Sequence, residues 1–274
     1  MRRHSCLLNK FVILSTKSVI LSTKSVILSE AKNLVLISLL LAGFAPLPTG
    51  GLTIYMIGDS TMADKPGGDN PERGWGQLFR GFFDSSVAIE NHAMNGRSTG
   101  SFLREGRWQP IVDKLKPGDY VFIQFGHNDE KPEKVDRYTP PEEYRKNLVK
   151  FVTETLAKEA RPILCTPIMR RRFDNDGKFY DEHGAYPDIV REVAAKYCVP
   201  LIDMHRKSEK LIVQLGEEGS KRIFLWIAPG EYKSLPDGRR DDTHFSDYGA
   251  TRMAELAVEG IEELDLELAH HLKK

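Results

Sequence analysis

From Leu52 onward the chain repeats one pattern, a short and almost wholly apolar run followed by a longer amphipathic stretch. The runs cover residues 52–57, 87–91, 120–125, 162–166 and 199–202. Apolar runs this short, without polar alternation, suit strands that are buried on both faces. Helical candidates lie between and after them at 75–83, 108–115, 140–160, 185–197, 208–215 and 246–268. In the clearest, Thr139 can cap a helix that opens on Pro140 and carries the stripe Tyr144, Leu148, Phe151, Val152 and Leu156. Strands that alternate with helices predict a parallel sheet covered on both sides. No Pro/Gly/Ser-rich linker breaks the order after Gly51, so 51–274 reads as one domain. The polar stretch 170–184 reads as a surface loop. In such sheets ligands bind outside the carboxyl ends of the strands.

Residues 1–50 do not follow this pattern. VILSTKS occurs twice in succession from Val12, and VILSEAK follows. This seven-residue period gives no continuous apolar seam of the kind a coiled coil needs, and it resembles translated repeat DNA, which points to a translation start downstream of Met1. Lys32, the apolar segment 34–45 and the small residues Gly43 and Ala45 then describe a secretory signal peptide cleaved near Ala45. A membrane anchor is the alternative, but spanning a bilayer takes about 20 apolar residues, more than this segment supplies. The mature protein is therefore expected to be secreted or periplasmic, with no membrane segment.

Lysine plus arginine balances aspartate plus glutamate at 39 each. A chain without net charge has no long-range field to gather nucleic acid or anionic membrane, so neither is expected as a partner. Cys6 falls in the leader. Cys165 and Cys198 both read as small buried hydrophobes near strand ends, and a disulfide between them stays open in an oxidising compartment. No Cys/His cluster has metal-ligand spacing, and no glycine-rich phosphate loop follows a strand, so neither metal nor cofactor is expected.

Four polar blocks carry the chemistry. Gly58-Asp59-Ser60 follows the first run and can hold a hydroxyl at the mouth of the sheet. Asn91–Ser98 follows the second, where Gly96 allows close backbone approach and Ser98 can cap a helix. Gly126-His127-Asn128-Asp129 follows the third. Asp241-Asp242-Thr243-His244 comes late in the chain, before the last helix. Each block alone could be an ordinary turn. Together, three fall at one edge of the sheet, and the fourth supplies a histidine base with an acid three residues before it, the parts of a hydrolytic triad.

These four blocks, in this order, resemble the SGNH (GDSL-type) hydrolase family, with Ser60, Gly96, Asn128 and His244 in its four named positions. GDSTMA, NGRS, QFGHND, DDTHFSDYGA and TPIMRRRF look most like the rhamnogalacturonan acetylesterase group. The resemblance covers about 52–268. It implies a flavodoxin-like three-layer α/β/α sandwich with a five-stranded parallel sheet, matching the count of apolar runs. It also implies a serine esterase that removes acetyl groups from pectin and acts without a cofactor. The chain is expected to act as a monomer on an acetylated polysaccharide or oligosaccharide.

Ser60 would be the nucleophile, His244 the base and Asp241 its orienter, with Asp242 the competing acid. The Ser60 and Gly96 N–H groups and the Asn128 amide would form the oxyanion hole. Pectin is anionic, so Arg97, Arg170, Arg171, Arg172, Arg239 and Arg240 are candidates for a basic rim. Xylan acetylesterases, lipases and thioesterases of the same fold remain rivals. So does a carbohydrate-binding module without catalysis.

Overall fold

The computed structural model describes residues 51–273. The leader expected over 1–50, its repeat and the cleavage point near Ala45 lie outside the described residues.

Five parallel strands form the main sheet: β1 (Leu52–Gly58), β2 (Val87–Asn91), β3 (Tyr120–Gln124), β4 (Arg161–Cys165) and β5 (Leu201–Ile202), in the order β2-β1-β3-β4-β5. Their apolar residues split by the strand period of two. Ile54, Met56, Tyr120, Phe122, Ile163 and Cys165 face one core, whereas Tyr55, Ile57, Val121, Ile123 and Leu164 face the other. That is why the runs show no polar alternation. Both sides of the central strands β1, β3 and β4 leave water, at about 25 cal/mol per Å² of apolar area, whereas Ala88 of edge strand β2 is exposed.

The first core is covered by α1 (Trp75–Phe79), α6 (Met204–Ser220) and α7 (Asp247–Glu263). The second is covered by α2 (Thr99–Arg104), α3 (Gln109–Lys114), α4 (Pro141–Ala157) and α5 (Tyr186–Tyr197). The result is the expected α/β/α sandwich. Its strand order reverses direction between β1 and β3, and a crevice at such a switch point is the usual ligand site in an open α/β sheet.

The structure departs from the sequence reading in several places. The α4 N-cap is Pro140, with no side-chain cap, and the Thr139 hydroxyl donates instead to Ser98 Oγ at 3.2 Å. Leu156, the last member of the expected stripe, is exposed. Cys165 is buried as expected, but it is a free thiol and does not pair with Cys198. Cys198 is exposed, a left-handed C-cap of α5 with φ 52°. Residues 239–245, read as a loop, form β7 (Arg239–Phe245), antiparallel to β6 (Phe224–Ile227). Among the described residues, no helix is long and apolar enough to cross a membrane.

Candidate active site

The site starts where β1 ends. A Cβ on Gly58 would lie 2.6 Å from the Gln124 carbonyl of β3, so glycine is required for the strands to pack this closely at the exit. The chain then turns at Asp59, whose carbonyl accepts from the Met62 and Ala63 N–H groups at 3.2 and 3.0 Å. One carboxylate oxygen of Asp59 accepts from the Thr61 N–H at 2.9 Å and the Thr61 hydroxyl at 2.8 Å; the other meets His127 Nδ1 at 3.3 Å. Gln124 donates to Thr61 Oγ1 at 3.0 Å and is itself held by the Trp75 indole. The turn is thus braced on both sides, and Ser60 stands at its apex, nearly buried but open to a cavity.

Burial pushes the Asp59 carboxyl up, but His127 and the Thr61 donors outweigh it and hold Asp59 at about 2. Burial, opposed by Asp59 and aided by the Arg170 charge, holds the His127 imidazole down at about 4. Near neutral pH the pair is therefore an ionised acid against a neutral ring.

The histidine arrives on β7. Phe224 pairs with Phe245 and Leu225 with Asp241, so residues 242–244 bulge out of the β6–β7 ladder. Bulges re-aim side chains beside functional sites. This one turns His244 to Ser60, with Nε2 2.9 Å from Ser60 Oγ. An isolated bridge between Arg73 and Phe245 ties the segment after Ser60 to the same strand, with the Arg73 N–H donating to the Phe245 carbonyl at 3.1 Å.

The two candidate acids go to different places. Asp241 Oδ2 lies 2.8 Å from His244 Nδ1, and its Oδ1 accepts from the Thr243 and His244 N–H groups at 2.8 and 3.0 Å. Burial raises this carboxyl, yet the His244 ring and the two backbone donors together hold it well below the usual range. Asp242 points away, accepting from Arg171 Nη1 at 3.0 Å and from the Trp226 indole at 2.8 Å. Only Asp241 is placed to orient the imidazole.

The second and third blocks converge on the same point. The Met94 N–H continues the β1 pairing by donating to the Gly58 carbonyl at 3.0 Å, and Gly96 then takes a φ of 76°, a conformation glycine adopts freely. Ser98 caps α2 in a reciprocal arrangement with Ser101. Asn128 donates to the Arg97 carbonyl at 3.1 Å, while the adjacent Asp129 accepts from the Thr99 N–H at 2.9 Å and the Thr99 hydroxyl at 2.6 Å. Two neighbouring side chains therefore lock the loop after β3 onto the loop after β2. An amide NH2 has two hydrogens, so Asn128 keeps one for the cavity.

That cavity measures about 250 Å³. Ser60, Gly96, His127, Asn128, Thr243 and His244 line it, and so do Glu72, Asn95, Lys131 and Arg137. No aliphatic or aromatic hydrocarbon side chain is among them.

None of the arginines proposed for a basic rim lines it. Arg170 is buried, paired with Glu130 and donating to the His127 carbonyl at 3.2 Å. Arg171 is buried against Asp242 and the Glu217 carbonyl. Arg172 pairs with Glu182 at 2.8 Å, Arg97 with Glu105 at 3.1 Å, and Arg239 with Asp241 and Glu72. Arg240 stacks over Trp226 at 5.6 Å. For Arg170 and Arg171 the partners Glu130 and Asp242 are remote in sequence, whereas Arg97, Arg172 and Arg239 pair with acids within ten residues. The pocket cations are Lys131 and Arg137, both from the segment that follows Asn128. Their signal in the sequence was proximity to the GHND block.

Residues 56–252 match the model of the GDSL-like lipase/acylhydrolase family. The chain belongs to that family. This SGNH hydrolase is 42% identical over 221 residues to the rhamnogalacturonan acetylesterase RhgT of Bacillus subtilis, a match that covers 81% of this chain and 94% of the relative. It is 48% identical over 94 residues to the rhamnogalacturonan acetylesterase of Emericella nidulans, covering 34% and 35% of the two chains. Among solved structures, YxiM of Bacillus subtilis superposes with a TM-score of 0.68 at 25% identity, covering 82% of this chain and 60% of that one. An acetylxylan esterase from Geobacillus stearothermophilus shares the fold, with a TM-score of 0.58 at 18% identity over 77% and 94% of the two chains. The SGNH hydrolase described here is a carboxylic-ester hydrolase.

Proposed function

We propose that this hydrolase removes O-acetyl groups from a plant cell-wall polysaccharide, rhamnogalacturonan in the first place. The observation that carries the reading is the cavity itself, small and lined by residues with polar side chains and Gly96, beside the Ser60–His244 contact. A long acyl chain finds no apolar channel there, whereas an acetyl group needs little apolar surface and a sugar needs hydrogen-bonding partners. The relatives named rhamnogalacturonan acetylesterases support the same substrate. Export after cleavage near Ala45 would bring such an enzyme to its polymer.

In this reading His244 takes the Ser60 proton as the hydroxyl attacks the acetyl carbonyl, then returns it to the leaving sugar oxygen. Asp241 holds the productive tautomer and stabilises the imidazolium. The developing oxyanion is met by the N–H groups of Ser60 and Gly96 and by the spare N–H of Asn128. Water then repeats the cycle on the acetyl-enzyme, with His244 again as base.

The test is acetate release from acetylated rhamnogalacturonan and acetylated xylan, alongside p-nitrophenyl esters of increasing chain length. Rhamnogalacturonan should be the best polymer and acetate the best small ester. Faster turnover of long-chain esters would refute the reading.

A further inference from the structure

Two cations belong to the pocket, one without a partner among the described residues and one held by long contacts only. Lys131 and Arg137 line the cavity beside Ser60 and His244. Among the described residues, the Lys131 ammonium has no hydrogen-bond or ion-pair partner. Lys131 is half-buried, and burial together with the nearby Arg170 charge holds its pKa below the ordinary lysine value. Arg137 lies against the oxyanion loop, where a Cβ on Gly96 would be 3.4 Å from its Nη1. That nitrogen donates to Asn128 Oδ1 at 3.4 Å, while the buried Nε has no acceptor among the described residues. Asp136 Oδ2 accepts from Nη2 at 3.5 Å and lies 3.5 Å from Nε as its ion-pair partner, but this carboxylate is largely exposed to water.

The buried or half-buried acids nearby are already paired, whereas Glu133 and Asp136 are exposed to water. Glu72 lines the pocket but pairs with Lys65 at 2.7 Å and Arg239 at 3.3 Å. Glu130 is buried between Arg170 and His183. The cavity therefore carries an excess of positive charge in a partly desolvated setting, where Coulomb attraction is stronger than in water.

We propose that Lys131 and Arg137 form a carboxylate subsite that binds the free acid of the uronic-acid unit presented beside the scissile acetyl ester. Lysine supplies a compact point charge, and arginine supplies planar donors from a guanidinium that also holds Asn128. In so small a cavity, the carboxylate must belong to the acetylated sugar or its immediate neighbour. The proposal rests on the acetylesterase reading and adds a specificity to it: O-acetylated uronides with a free carboxylate are preferred to their methyl esters. Methylation removes the negative charge and leaves the Lys131 ammonium unpaired.

The experiment compares kcat/KM for acetate release from one O-acetylated uronide oligosaccharide and from its fully methyl-esterified form. Wild type should favour the free acid by about 10- to 100-fold, the range of a charge-assisted hydrogen bond to a desolvated group. Lys131→Met should bring the ratio close to one, and Lys131→Arg should keep most of it. A ratio of rates cancels any general loss from folding. Equal wild-type rates on the two forms, or an undiminished preference in Lys131→Met, would overturn the subsite while leaving the acetylesterase reading intact. Hydrolysis of p-nitrophenyl acetate with no acetate from either uronide would remove both.

Discussion

The Asn128 side chain donates one N–H to the Arg97 carbonyl, 31 residues earlier, at 3.1 Å. That bond fixes which way the amide faces and leaves its second N–H for the cavity. A donor held before the reaction starts costs no reorganisation as charge develops, and removing one typically costs about 10²–10³ in rate. Asn128→Ala is therefore expected to lower kcat by about that factor with KM nearly unchanged, since the loss falls on the transition state. Steady-state kinetics on p-nitrophenyl acetate checks it. A large rise in KM at constant kcat would place Asn128 in ground-state binding instead.

The two adjacent acids should separate cleanly. Asp241→Asn keeps the shape but loses the carboxylate that orients His244, and a loss of about 10⁴ in kcat is the precedent for that change in a triad. Asp242→Asn weakens the contact to buried Arg171 and should appear as lost stability, about 1–3 kcal/mol, with kcat altered far less. Urea unfolding and kinetics on both variants provide the check. Equal catalytic losses would mean that the hydrogen-bond assignment at His244 is wrong.

Asp129 sets a pH dependence of opposite sign to the other site acids. Burial pushes its carboxyl up to about 8, against the Thr99 donors that pull it down, and its Oδ2 has no partner among the described residues. An acid whose folded pKa is raised binds its proton more tightly when folded. Its stabilisation is complete below the unfolded value near 4 and is lost as pH rises towards 8. Wild type should therefore lose stability relative to Asp129→Asn across that window. Melting temperatures of both proteins from pH 4 to 9 test this, and parallel curves would contradict it.

The apolar runs revealed the sheet because strands buried on both faces need no long-range information to be recognised. The convergence of Ser60, Gly96 and Asn128 follows from the same pattern, since each block trails a strand. β7 was hidden for the opposite reason. Six of the seven residues in RRDDTHF are polar, and the strand exists only through pairing with Phe224–Ile227 and the bridge to Arg73. The burial of Arg170 and Arg171 was hidden as well. Arginines in a run read as solvated until their acids, Glu130 and Asp242, are found 40 and 71 residues away. Nothing in the sequence marks Lys131 and Arg137 out from the charges around them, and only the folded cavity separates them.

The central claim is that Ser60, activated by His244, is the group that attacks the ester. An organophosphate ester bearing a p-nitrophenolate leaving group tests it directly, followed by peptide mass mapping. One adduct per chain is predicted, on the peptide that contains Ser60, with almost none in His244→Ala. A label on another residue, or undiminished labelling without His244, would contradict the account.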